Sequence, residues 1–300
     1  MIPAFVNDKA GTAQKARAAL EKVGGFEVHD TPPKELKDRI GAELRAKPQR
    51  IVIAGGDGTV GTAAALTCGT DVELAVLPGG TLNHFARDHG IPTELEDAAE
   101  VALHGEAAPA DVAYVGERLF LNTSSVGAYV SYVRLRERLE KFLGYRVASL
   151  LAAIRLFFTF KTIDVELKVN GETRRYSTPL IFIGVGEREA KSPEFGSRIP
   201  GGRHCLHVLV VRERSAARLV VLALDAVTSG LRKVARTPEL DSFLVDSCSV
   251  GIAGHRKHLS VDGEIVNLPT PFQFRCAQGA LKIVVPKAAA TDTGDASADA

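Results

Sequence analysis

Three hundred residues exceed what one hydrophobic core usually serves, and an apolar content of 45% is enough to build two, so two cores joined by a short crossover are expected. The 37 basic residues nearly cancel the 36 acidic ones, and a formal charge of +1 supplies no global field to attract nucleic acid or an anionic membrane. Cys68, Cys205, Cys248 and Cys276 form no CxxC pair, the start MIPAFVNDKAG has no basic stretch followed by an apolar one, and the most apolar run, SLLAAIRLFFTF, falls short of the ~20 residues of a membrane span and contains Arg155. The expected location is therefore a reducing cytoplasm.

From residue 3 to about 104, strand-like and helical patterns alternate: PAFVN, GTAQKARAALEKV, FEVHD, PKELKDRIGAELRA, RIVIAGG and ELAVLPGG. This βαβα rhythm predicts a parallel sheet, and the continuously apolar IVIA and LAVL suit central strands covered on both faces. After Asp111 the texture turns to hairpins. AYVGERLFLN is one, and DVELKVNGETRRYS is another around Asn170-Gly171, a pair suited to the positive φ angles of a type I′ turn. Further strands are predicted at RHCLHVLVV, FLVDSCSVGI, HLSVDGEIV, FQFRC and ALKIVVP, with a helix at AARLVVLALDAVTSGLRK. The final KAAATDTGDASADA lacks large apolar side chains and reads as a disordered tail.

IVIAGGDGTVGTAAAL sets Gly55, Gly56, Asp57, Gly58 and Thr59 between a buried strand and an alanine-rich helix. Glycines let a backbone approach phosphates closely, and the helix start offers amide donors. Asp57 adds a carboxylate able to hold Mg²⁺ directly or through water. An isolated GxG would read as a turn needing glycine for geometry alone; the strand and helix on either side favour a phosphate site. LAVLPGGTLNHFARDHGIP repeats the arrangement, with Thr81 ahead of a short helix and Asn83 available to cap backbone. In a parallel sheet both turns open at the same carboxyl edge.

In this order, GGDGT, PGGTLNHFARDHGIP and SVDGEIV resemble the diacylglycerol kinase catalytic-domain family, in its bacterial branch of soluble lipid kinases, and the resemblance spans nearly the whole chain. GGDGT is shared with NAD kinases and phosphofructokinases, whereas the PGGTxNxFAR block is not. The resemblance implies a Rossmann-like, mostly parallel α/β nucleotide domain over residues 1–110 and a mainly antiparallel β-sandwich substrate domain over 111–286, followed by the tail at 287–300. ATP is then expected in the cleft between the domains, contacted by Asn7, Thr31, the loop Gly55, Gly56, Asp57, Gly58, Thr59, Val60 and Gly61, and Thr81. Mg²⁺ is expected at Asp57 and Glu264, directly or through water. Asp262 and Glu264 match the family's proton acceptor and metal-supporting position, with the roles left open between them. Phosphoryl transfer needs such groups, and in an extended segment the two side chains would point the same way. Standing alone, Asp262-Gly263-Glu264 would read as an ordinary exposed hairpin turn, since Asp-Gly is a common turn dipeptide.

The implied activity is transfer of the γ-phosphoryl group of Mg-ATP to a hydroxyl of a lipid such as diacylglycerol. That reaction brings a lipid substrate at a membrane surface and transient peripheral contact with the inner face of the membrane, and no nucleic acid. A soluble-metabolite kinase acting on NAD is the first alternative, and a catalytically impaired nucleotide- or lipid-binding regulator the second. The second draws on two departures from the family pattern: Gly61 where many members have Asn, and His84 where many have Asp. GSRIPGGRHCLHVLVV has no acidic residue, so the structural Mg²⁺ site that some relatives carry there is expected to be absent. His204 and His207 fall on opposite faces of a strand, which argues against zinc, and Ser124 and Ser125 lack a GxSxG elbow. The segment 132–161 is basic early, with Arg134, Arg136, Arg138 and Lys141, and apolar late; it suits either packing on the β-domain or an interfacial lipid contact.

Overall fold

The structure, a computed structural model, describes residues 1–127, 162–188, 198–199, 201–212 and 240–287. Its first nine elements are β1 (Ile2–Asn7), α1 (Ala13–Val23), β2 (Phe26–Thr31), α2 (Leu36–Leu44), β3 (Arg50–Gly55), α3 (Asp57–Thr67), β4 (Glu73–Pro78), α4 (His84–Asp88) and α5 (Leu95–His104). The strands lie in the order β2-β1-β3-β4, all parallel, and the apolar runs Ile51–Ala54 and Leu74–Leu77 are buried with helices packed against them. This is the α/β half anticipated from the alternating pattern.

The remaining described elements are strands: β5 (Glu106–Val115), β6 (Arg118–Phe120), β7 (Thr123–Gly127), β8 (Ile163–Val169), β9 (Glu172–Thr178), β10 (Leu180–Val185), β11 (Leu206–Val211), β12 (Leu240–Val245), β13 (Ser247–Ile252), β14 (Arg256–Val261), β15 (Glu264–Pro269) and β16 (Phe272–Val285). One antiparallel sheet runs β12-β11-β10-β7-β14-β15. It contributes Ile181, Ile183, Val208 and Leu259 to a second core, which Leu167, Val250, Phe272 and Phe274 close from the other sheet. The β8–β9 hairpin turns at Asn170 and Gly171 with φ of 51° and 77°, and Val165, Leu167 and Val169 are buried, as their alternation predicts.

The two cores also share a sheet. β16 is a single strand of 14 residues where FQFRC and ALKIVVP read as two, and its register against β5 shifts between Ala277 and Leu281. Its first part pairs with β13, and Ile283 pairs in parallel with Leu74 of β4, so one ten-stranded sheet runs through both halves. Two expected features, the basic-then-apolar segment 132–161 and the helix over 216–233, lie outside the described residues, as does the tail beyond Lys287.

Candidate active site

β1, β3 and β4 are adjacent and parallel, so the turns that follow them open side by side. β3 delivers the chain to Gly56, extended at φ −83° and ψ 178°, and α3 starts at Asp57 without a side-chain cap. Its first amides thus point outward with no side-chain acceptor. The turn after β4 presses against this loop: Gly79 donates its amide to the Gly55 carbonyl at 2.8 Å. A Cβ at Gly80 would stand 2.7 Å from the Gly56 Cα, and one at Gly79 would stand 2.6 Å from Thr12 Oγ1. Only glycine permits that approach.

Asn83 fixes the second turn from within. In the left-handed region at φ 51°, it accepts the Gly80 amide at 2.8 Å and donates to the Gly80 carbonyl at 3.0 Å. Asp57 then ties the loops together, its two carboxylate oxygens accepting the amides of His84 and Phe85, both at 3.3 Å. The residue expected to serve metal is therefore also the cap of α4.

Between these turns lies an open cavity of about 450 Å³, lined by Asn7, Ala10, Gly11, Thr12, Gly56, Gly58, Thr59, Gly79, Gly80 and Thr81. Asn7, from the end of β1, donates to Thr59 Oγ1 at 2.9 Å. The expected contacts Asn7, Gly56, Gly58, Thr59 and Thr81 are thus brought together. Thr31, Gly55, Asp57, Val60 and Gly61 do not line the cavity: Thr31 and Val60 are buried, Gly55 lies beneath Thr59, and the Asp57 carboxylate is turned to the α4 amides. Thr12, which donates to the Gly79 carbonyl at 2.9 Å, was not anticipated; the Gly11-Thr12 pair after β1 was its only signal in the sequence.

Beside Gly58, which lines this cavity, stands the β14–β15 turn. Asp262 and Gly263 have φ of 45° and 83°, so the motif is a tight hairpin turn and not an extended segment. The shared direction expected of Asp262 and Glu264 is therefore lost. Asp262 turns inward and accepts the amides of Leu121, Asn122 and Thr123 at 2.8, 2.9 and 2.9 Å. Burial pushes its carboxyl above the ordinary carboxylate range, and the three amides pull the other way. Glu264 turns outward toward the α/β half, where a Cβ at Gly58 would meet its Oε1 at 3.7 Å. Its other oxygen pairs with Arg118 at 2.6 Å, a solvent-exposed contact worth about 0–1 kcal/mol and readily exchanged.

The donor set suits a polyphosphate with magnesium. No lysine or arginine lines the cavity among the described residues, so a polyphosphate placed there would meet backbone amides and hydroxyls, and its charge would call for a cation. No group of three or more His, Cys, Asp or Glu able to hold a metal occurs among the described residues. Magnesium retains waters and leans on phosphate oxygens, so Asp57 and Glu264 with a nucleotide would suffice.

Residues 2–115 match the diacylglycerol kinase catalytic domain. Over these residues the chain is similar to that family. The match ends with β5, so it contains the glycine turns and Asp57 but not Asp262 or Glu264. Over greater lengths, the chain is similar to curated proteins named "Probable lipid kinase YegS-like". It is 24% identical over 294 residues to the one from Klebsiella pneumoniae, spanning 94% of this chain and 95% of that protein. Against the one from Cronobacter sakazakii the identity is 26% over 247 residues, or 79% and 78%. The solved structure of "a putative diacylglycerol kinase" from Bacillus anthracis superposes with a TM-score of 0.73 at 22% identity, over 96% of this chain and 98% of that one. That likeness establishes the shared fold: an α/β half with a mostly parallel sheet and an antiparallel β half, as the family resemblance implied.

Proposed function

We propose that this protein transfers the γ-phosphoryl group of Mg-ATP to a hydroxyl of a lipid such as diacylglycerol. The observation that carries the reading is the approach of Glu264, from the β half, to Gly58 in the glycine turn of the α/β half. The family match of residues 2–115 and the names of the full-length relatives support it. The turns bearing Gly56, Gly58, Gly79 and Gly80, with the hydroxyls of Thr12, Thr59 and Thr81, cradle the phosphates. Asn7 orients Thr59. Asp57 and Glu264 support magnesium, which when bound neutralises charge on the phosphates. Glu264 is the freer of the two turn carboxylates and is assigned the proton of the acceptor hydroxyl; Asp262 shapes the turn that presents it.

The test is incubation of the purified protein with γ-labelled ATP, magnesium and dispersed total lipid extract. Label is expected in the organic phase, and Asp57→Asn, which keeps an acceptor for the α4 amides, is expected to lower its rate roughly 100-fold. Label in a water-soluble acceptor such as NAD, or undiminished transfer by Asp57→Asn, would overturn the reading.

A further inference from the structure

A buried ion pair links the two halves. Asp88, the last residue of α4, lies 3.3 Å from Arg188 Nη1, and their side chains are 6% and 4% exposed. Asp88 also accepts the backbone amide of Arg198 at 3.3 Å. Arg188 follows β10 in the β half, and its Nη2 donates to the carbonyls of Asn122 at 2.8 Å and Val185 at 3.2 Å. Asn122 is one of the three residues whose amides hold Asp262. A continuous path therefore runs from the Asp57 carboxylate through α4, about 7 Å long, to Asp88, Arg188, Asn122 and Asp262.

We infer that Asp88 and Arg188 are a positioning pair for phosphoryl transfer, a strut that fixes the height of the Asp262–Glu264 turn over the glycine turns. Neither residue touches the nucleotide cavity, and the role rests on the kinase reading above. A buried ion pair is a weak source of stability, since apolar residues of similar volume often serve as well. What apolar residues cannot reproduce is the forked geometry, in which one guanidinium grips a carboxylate of one half and a carbonyl of the other. Displacing Glu264 by about 1 Å would be enough to slow transfer strongly.

The experiment compares the wild type with the double variant Asp88→Leu/Arg188→Met, which removes both charges together. Its denaturation midpoint is expected near that of the wild type. Its kcat at saturating ATP and lipid is expected to fall about 100-fold, while KM for ATP moves less than about threefold because the glycine turns are intact. In the nucleotide-free protein, amide exchange at Leu121, Asn122 and Thr123 is expected to accelerate about tenfold, with β3 unchanged. Should the double variant fail to fold, Arg188→Lys keeps the pairing with Asp88 and loses the second arm, and the same kcat loss and exchange pattern are expected. Wild-type kcat together with unchanged exchange at these amides, in the folded variant used, would overturn the strut. A wild type that transfers no phosphate in the same assay would instead overturn the kinase reading, leaving the exchange measurement to decide the strut.

Discussion

His89 shows how a single side chain registers its surroundings. Its Nε2 lies 3.4 Å from Arg198 Nη1, and its ring packs on Phe85 with centroids 4.7 Å apart. Burial, followed by the charge of Arg198, lowers its pKa from 6.5 to about 3. A proton on this ring would set two cations against each other. The unfolded chain binds that proton as pH falls below 6.5 and the folded chain refuses it. Its contribution to stability is thus fully present above that value and is lost on acidification toward pH 3, at up to about 1.4 kcal/mol per pH unit. Urea midpoints of the wild type and His89→Gln should therefore converge as pH is lowered through this window; curves that stay parallel would contradict the assignment.

At the scale of elements, the contact between the two glycine turns decides whether the cavity exists. Gly80→Ala would place a Cβ 2.7 Å from backbone at Gly56, where no flexible side chain can yield. The turns must then part, and about 1–3 kcal/mol of stability should be lost together with most of the affinity for an ATP analogue, readable by titration calorimetry. Gly61→Ala is the contrast, for nothing lies within 4 Å of its Cβ position and the residue sits inside α3. About 0.5–1 kcal/mol of added stability is expected there, measured as a higher denaturation midpoint. The glycine turns themselves were legible in the sequence because strand, glycine and helix signals are local. At Asp262 the local Asp-Gly turn signal competes with the alternation on either side, and in the structure the turn prevails over the extended segment. Asp88 and Arg188 carry no signal in the sequence, and Thr12 only the Gly11-Thr12 pair. Their partners lie 67, 100 and 66 residues away for Thr12 with Gly79, Asp88 with Arg188, and Arg188 with Asn122, and no periodicity encodes such meetings.

Across the whole molecule, β16 binds the halves into one sheet. Apolar runs in FQFRC and ALKIVVP were correctly read as strand, but the break at Ala277-Gln278-Gly279 concealed their continuity. In the structure Gly279, at φ 59°, passes its amide to Asp111 at 2.9 Å and the strand continues. Leu281, Ile283 and Val284 are buried in the first core. Burying each side chain contributes about 1.5–3 kcal/mol, together comparable to the roughly 5–15 kcal/mol that holds a domain folded. Truncation after Gly279 should therefore leave no cooperative unfolding transition, and a truncated chain with a wild-type melting curve would contradict this role. The same continuity sets Glu264 beside Gly58, two residues separated by 206 positions in the chain. The most direct measurement is a crystal structure with magnesium and a non-hydrolysable ATP analogue. The triphosphate should lie between Gly56 and Gly80, with the metal against Asp57 and the γ-phosphate facing Glu264; a nucleotide bound away from these turns would contradict the account.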